Sequence, residues 1–282
     1  MRLVTFRSGD AIQVGVVVGD EVVPLDRPAD SDMTALLAAG DAALSAAERI
    51  DRGGSSPKVR HKLRDVQLLA PVTRPGKIVA VGLNYRDHAM ETKMAIPTVP
   101  ILFAKFNNSI TGPEAPVALP VDDSQVDYEA EMAVVIGRTA KGVSEADAMN
   151  FVAGYMPLND VTQRKWQFAD KQWVRGKSCD TFCPIGPWLT TRDAVPDPHA
   201  LAIRMRVNGT ELQSSNTSNL IFGVPALVEF ISQAITLDPG DIIATGTPGG
   251  VGFTRQPPIF LKRGDVMEVE IEGLGVLRNH VV

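Results

Sequence analysis

The sequence predicts an α+β fold dominated by β-structure, with a small N-terminal α+β domain over residues 1–70 and a larger domain over 71–282. Three observations predict it. Short apolar runs broken by Gly and Pro recur along most of the chain, helical patterns are few, and the two regions differ in texture. The opening residues alternate strands and turns as RLVTF, IQVGVVVG and EVVPL, a small β-meander. Residues from Asp32 to Ile50 are rich in Ala and Leu and read as helical. Asp51 to Arg60, with Gly53-Gly54-Ser55-Ser56-Pro57, reads as a loop. VQLLAPVTRPGKIVAVGLNY then opens the larger domain, where helical patterns are confined mainly to Asp87–Met90, Ser144–Asn150, Val161–Gln172 and Gly223–Ile235.

Composition narrows the function classes. Hydrophobic residues make up 44% and charged residues 22%, the balance of a soluble globular chain. A net charge of −5 without a basic block gives no support for nucleic-acid binding. No run reaches membrane-spanning length, and the first ten residues lack the apolar core of a signal peptide. Cys179 and Cys183 are the only cysteines, which argues against a disulfide scaffold and for a reducing cytoplasm; both read as small buried side chains.

The most informative stretch is Asp127-Tyr128-Glu129-Ala130-Glu131 followed by the apolar run Met132–Ile136, a buried strand stopped by Gly137. Alternation puts Glu129 and Glu131 on one face. Two carboxylates about 4 Å apart repel by about 4 kcal/mol at an effective dielectric near 20, so a cation belongs between them. The competing reading is a solvated acidic strand end. A third carboxylate, Asp160, precedes a segment that reads as a helix, either as its N-cap or as a third oxygen ligand. Three carboxylates suit Mg²⁺ or Mn²⁺. Zinc is disfavoured because His61, His88, His199 and His280 show no ligand spacing.

Other segments carry chemistry. His88 and Glu91 are three apart on a helical stretch and can pair, which makes the imidazole a water-activating base; the same spacing also occurs on ordinary surface helices. Met94 to Pro100 reads as a mobile lid. Arg175-Gly176-Lys177 is either a solvated basic turn or a source of cations for an anionic substrate or a developing enolate. The strand Asp241–Ala244 enters a Gly-rich loop that can present N–H groups and the Thr247 hydroxyl to a carboxylate; it matches neither a Walker loop nor a dinucleotide fingerprint.

In order, GLNYRDHAME, DYEAEMAVVIG, PLNDVTQRKWQ, RGKSCDTFCPIGPW and LDPGDIIATGTPGGVGF resemble the fumarylacetoacetate hydrolase family, in its acylpyruvate-hydrolase-like branch, from about Arg74 to the C-terminus. The resemblance implies a mixed β-roll catalytic domain, a homodimer, and Glu129, Glu131 and Asp160 as ligands of Mg²⁺ or Mn²⁺. It implies His88 and Glu91 as the water-activating dyad and Lys177 as the group that stabilises the enolate. Tyr85, Gln167 and Thr247 then fall on the substrate side, and Arg86 and Arg164 are assigned to a substrate carboxylate. Two departures, Asn107 after Phe103-Ala104-Lys105-Phe106 and Cys179 in place of an aromatic residue, bear on the pocket wall. The implied activity is metal-dependent hydrolysis of the C–C bond of 2,4-dioxo acids such as fumarylpyruvate or maleylpyruvate, in aromatic or sugar-acid catabolism. Oxaloacetate decarboxylation, keto–enol isomerisation and hydration of 2-oxo-enoic acids are alternatives on the same centre.

Overall fold

A computed structural model describes residues 1–26, 32–53, 59–121 and 125–282. Two sheets organise them. The larger has eleven strands, running from one edge through His61–Lys62, Glu21–Pro24, Ala11–Val18, Arg2–Ser8, Leu189–Thr191, Val152–Asn159, Ala130–Ile136, Ile242–Ala244 and Ile78–Gly82 to Ile101–Lys105 at the other edge. Gln67–Leu68 pairs with Arg2–Ser8 beside that path. The pairing is antiparallel except where Ile242–Ala244 runs parallel to Ile78–Gly82, so the sheet is mixed. The second sheet has five strands, ordered Thr210–Asn216, Ala202–Val207, Val266–Ile271, Gly275–Val281 and Pro116–Val117. The expected β-rich α+β class is what the structure shows.

The strand Ala130–Ile136 is central, and its sequence explains why. Met132, Val134 and Ile136 enter a core shared with Ile203, Met205, Met267 and Val269 of the smaller sheet and with the helix Val224–Ala234. Ala133 and Val135 enter a second core with Met156, Leu158 and the N-terminal helical residues Leu36 and Leu37. A strand covered on both faces needs an unbroken apolar run, and such a run begins directly after Glu131.

The opening meander forms as expected, and Arg2–Ser8 continues the larger sheet by pairing with Leu189–Thr191, Arg2 opposite Thr190 and Leu3 opposite Leu189. The 32–50 segment splits into Met33–Ala38, capped by Asp32, and Asp41–Asp51. The loop expected over 51–60 therefore begins one residue later, and its Gly54–Lys58 portion lies outside the described residues.

The helix expected over 161–172 is shorter and later. Thr162–Gln163 pairs instead with Val126–Asp127, the Gln163 side chain caps the next turn through Lys165 N, and the helix runs Arg164–Ala169. Arg175-Gly176-Lys177 lies in a four-residue helix, Val174–Lys177, rather than a turn. Among the described residues no helix is long and apolar enough to cross a membrane.

Candidate metal centre

Glu129 immediately precedes the central strand, Glu131 lies within it, and Asp160 directly follows the neighbouring strand Val152–Asn159. That pairing places Ala130 opposite Asn159, and a bond from Asp160 N to Glu129 O (2.9 Å) closes the end of the ladder. The three carboxylates therefore converge, each offering an oxygen within 4.8 Å of the others. They are buried, at 5%, 1% and 0% exposure for Glu129, Glu131 and Asp160, so the solvated-strand-end reading fails. Asp160 is not an N-cap, since Gln163 holds that position and the Asp160 side chain faces two lysines.

Buried charge demands partners. Lys177 Nζ lies 2.7 Å from both Glu129 Oε2 and Asp160 Oδ2. Lys105 Nζ lies 2.6 Å from Asp160 Oδ1 and also donates to the backbone carbonyl of Lys177. Arg164 spans Asp127 Oδ2 at 2.8 Å and Glu129 Oε1 at 2.7 Å, while its Nη1 donates to Gln167 Oε1 at 3.0 Å. The Phe253 ring lies under its guanidinium, 4.4 Å away. Glu131 has no basic partner among the described residues and accepts from Gly246 N at 2.8 Å.

This asymmetry sets the proton affinities. Burial alone would raise Glu129, but Lys177 and Arg164 outweigh it and hold the carboxyl at about 2. Burial, reinforced by the charges of Asp160 and Glu129, pushes Glu131 well above the usual carboxylate range. Burial opposes the charge on Lys177, yet Asp160 and Glu129 keep its ammonium more basic than usual.

The donor set fits a divalent cation. Hard oxygen ligands at 2.0–2.1 Å suit Mg²⁺-like ions and leave positions for water or substrate. Oxygens around such an ion lie up to about 4.2 Å apart, so the observed spread of 4.8 Å needs little closure. Among the described residues Glu131 forms no salt bridge and feels Lys177 only at longer range, which makes it the carboxylate with most to gain.

The helix Arg86–Thr92 brings His88 near enough for its charge to act on Glu129. His88 Nδ1 is 3.2 Å from Glu91 Oε2. Glu91 in turn accepts from Gly250 N at 3.0 Å and from the Thr254 hydroxyl at 2.8 Å. Although burial opposes it, these bonds hold Glu91 below its ordinary value, so it is a carboxylate that accepts from a proton on His88 Nδ1. In the neutral imidazole that arrangement places the lone pair on Nε2. A glycine is needed at 250: its φ is +101°, and a Cβ there would stand 2.3 Å from Leu212 O.

Asp87 adds a second clasp, accepting from the Ser215 hydroxyl at 2.5 Å and Gly249 N at 3.3 Å. Met94–Pro100, the expected lid, follows as an irregular segment with Met94, Ile96 and Val99 exposed.

The Glu91 clasp has a pH signature. A carboxylate held below 4.5 contributes stability fully above pH 4.5 and loses that contribution as pH falls through its folded value. Glu91→Gln is therefore expected to lower the urea midpoint relative to wild type at pH 6–7, with the gap closing below pH 4.5. A gap independent of pH would show that the carboxylate charge is not what fastens the helix.

The remaining expected residues divide. Gln167 and Thr247 are buried beside the centre, Gln167 against Arg164, and Thr247 accepting from Gln213 Nε2 at 2.8 Å. Tyr85 is wholly buried, and its hydroxyl has no hydrogen-bond partner among the described residues. Arg86 is exposed and donates to the carbonyl of Leu220 at 2.6 Å, a bond that moors the helix. Arg175 is also exposed and pairs with Asp170, so of the two cations in that segment only Lys177 reaches the centre.

Cys183 is buried, but Cys179 is half-buried and lines an open pocket of about 760 Å³ with Phe106, Trp166 and Ser178; none of the three carboxylates lines it. Lys105, Asp127 and Gln213 were not singled out as site residues by the sequence. Lys105 ends an apolar edge strand and Gln213 sits in a polar hairpin, and neither spacing signals the centre.

Comparison with known proteins places these features in context. A family model described as fumarylacetoacetate (FAA) hydrolase C-terminal matches residues 77–282, and one described as Rv2993c-like, N-terminal matches residues 1–71. The chain is 46% identical to the mitochondrial oxaloacetate tautomerase Fahd2a of Rattus norvegicus, across 100% of this chain and 92% of the relative. It superposes on 2-hydroxyhepta-2,4-diene-1,7-dioate isomerase from Mycobacterium marinum with TM-score 0.80 and 37% identity, covering 100% and 98% of the two chains.

Maleylpyruvate hydrolase from Sphingobium sp. SYK-6, in complex with manganese(II) and pyruvate, superposes with TM-score 0.83 and 34% identity over 100% and 99%. The cytoplasmic location expected from cysteine usage is overturned, because the curated relative is a mitochondrial protein. Two cysteines without a disulfide do not distinguish one compartment from another.

Proposed function

The chain belongs to the fumarylacetoacetate hydrolase family, and from that membership we propose that it interconverts the keto and enol forms of a small 2-oxo dicarboxylate of the oxaloacetate type, using Mg²⁺ or Mn²⁺. The observation that carries the reading is the pairing of a full-length relationship to an oxaloacetate tautomerase with a buried carboxylate centre facing a polarised imidazole. A divalent ion held by Glu129, Glu131 and Asp160 would draw electron density from a 2-oxo oxygen and acidify the adjacent C–H.

The chain's own groups do the rest. His88, with Nδ1–H given to Glu91, takes a proton from the carbon next to the oxo group through Nε2 and returns it there in the reverse direction. The Lys177 ammonium, beside Glu129 and Asp160, lies where it can offset negative charge growing on the enolate oxygen and supply that oxygen with a proton. Glu131 must lose the proton that burial favours before it can bind a cation, so metal affinity falls on acidification.

Hydrolysis of an acylpyruvate, the leading expectation from the sequence, becomes the second reading. It is favoured by the same imidazole, which can equally take a proton from water, and by the maleylpyruvate hydrolase neighbour. Both are tested together by following ketonisation of enol-oxaloacetate and loss of maleylpyruvate with Mg²⁺, with Mn²⁺ and with EDTA.

Metal-dependent ketonisation well above the buffer rate supports the proposal, and maleylpyruvate loss alone replaces it with hydrolysis. Metal at about 100 times its Kd should also raise the unfolding free energy by about 2.7 kcal/mol. No thermal shift with either ion would remove the centre from the mechanism.

A further inference from the structure

We propose that Gln213 orients the Thr247 hydroxyl by occupying one of its lone pairs, so that its unpaired proton is presented to an acceptor oxygen on the ligand beside the carboxylate centre. Gln213 reaches the centre from the smaller sheet, on the strand Thr210–Asn216, and is 1% exposed. Its three hydrogen bonds determine which way its amide faces. The backbone N–H of Ala130, the residue between Glu129 and Glu131, can only donate, and it lies 2.9 Å from Gln213 Oε1. The amide nitrogen must therefore face the other way, where it donates to Pro248 O at 2.8 Å and to Thr247 Oγ1 at 2.8 Å. The carbonyl of Pro248 can only accept, which fixes the same orientation independently.

The consequence falls on Thr247. Its oxygen already accepts from Gln213, and among the described residues its own proton has no acceptor. Thr247 is buried and directly follows Gly246, whose N–H binds Glu131. A buried hydroxyl with an unused proton at that position satisfies it on a ligand oxygen, a carboxylate or an oxo group. A ligand presenting N–H or O–H there could use only the remaining lone pair and would leave the buried hydroxyl proton without an acceptor. Gln213 is thus a positioning residue acting through Thr247, and this rests on the reading of the centre as a 2-oxo acid site.

The test is a double-mutant cycle using oxalate as the probe. Oxalate binding to the Mn²⁺-loaded protein is measured by calorimetry for wild type, Gln213→Leu, Thr247→Val and the double variant, alongside KM and kcat for oxaloacetate ketonisation. Each single variant is expected to weaken oxalate about tenfold and to raise KM more than it lowers kcat, as loss of one hydrogen bond to a charged group implies. The double variant is expected to be no weaker than either single one, and Thr247→Ser to restore binding.

Losses that multiply to about a hundredfold, or unchanged oxalate binding in Gln213→Leu, would overturn the proposal and leave Gln213 a packing residue. If Gln213→Leu does not fold, Gln213→Met keeps the length of the side chain and removes the donor to Thr247, so weaker oxalate binding supports the proposal and unchanged binding overturns it. A wild-type protein that binds Mn²⁺ but neither oxalate nor oxaloacetate would instead sink the proposed function itself, and this inference with it.

Discussion

Asp160→Ala is expected to abolish metal-dependent turnover and to lower the unfolding free energy by about 3–5 kcal/mol, the usual consequence of removing one partner from a buried ion pair. The loss is large because Asp160 is the common counter-ion of two buried ammonium groups. Lys105 holds one of its oxygens at 2.6 Å and Lys177 the other at 2.7 Å. Removing the carboxylate strands Lys105, which also loses the partner that keeps it on the backbone carbonyl of Lys177, and leaves Lys177 with Glu129 alone.

Metal affinity should fall at least about a hundredfold, since loss of an outer partner alone costs about 10–100-fold. Denaturant unfolding of the metal-free protein and Mn²⁺ calorimetry separate the two effects. A variant of wild-type stability would mean that Lys105 and Lys177 find other acceptors, and that Asp160 is not the hub of the charge network.

His88→Gln is expected to lower the ketonisation rate by about 10²–10⁴, the range for removing a positioned general base. Mn²⁺ affinity should stay within about threefold of wild type, because His88 is not among the grouped ligands. The amide of Gln can still donate towards Glu91, so docking of the helix should survive and the measured loss should report proton transfer. A variant that keeps its rate would move the base elsewhere, with Lys177 as the first candidate. If the rate and Mn²⁺ affinity fall together, His88 is acting on the centre rather than on the substrate.

The carboxylate centre was legible because strand periodicity is strict: Glu129 and Glu131 two apart ahead of an apolar run leave little freedom about which face they share. The His88–Glu91 pair was legible because one helical turn brings residues three apart together. What stayed hidden was carried by contacts between distant segments. Lys105 meets Asp160 across 55 residues, and Gln213 meets Ala130 across 83, so no local pattern records either.

The misplaced helix start has a similar cause. Val161–Gln163 has acceptable helical composition, yet pairing of Thr162 with Asp127 outweighs it and draws the chain into a ladder before the helix begins. Arg86 and Arg175 show the limit of reading a charge as a ligand-binding group, because one moors a helix and the other satisfies Asp170.

The pairing of Arg2–Ser8 with Leu189–Thr191 has a consequence for the molecule's solubility. The strand from residue 189 to 191 is buried, and without that pairing its backbone N–H and C=O groups would form an open edge, the kind of surface that templates association of chains. The meander covers that edge, and the final short strand, His61–Lys62, presents an exposed lysine at the new border, where it pairs with Asp20 and Glu21. The N-terminal strands thus replace an open margin with a short charged one, and this holds whatever reaction the centre performs.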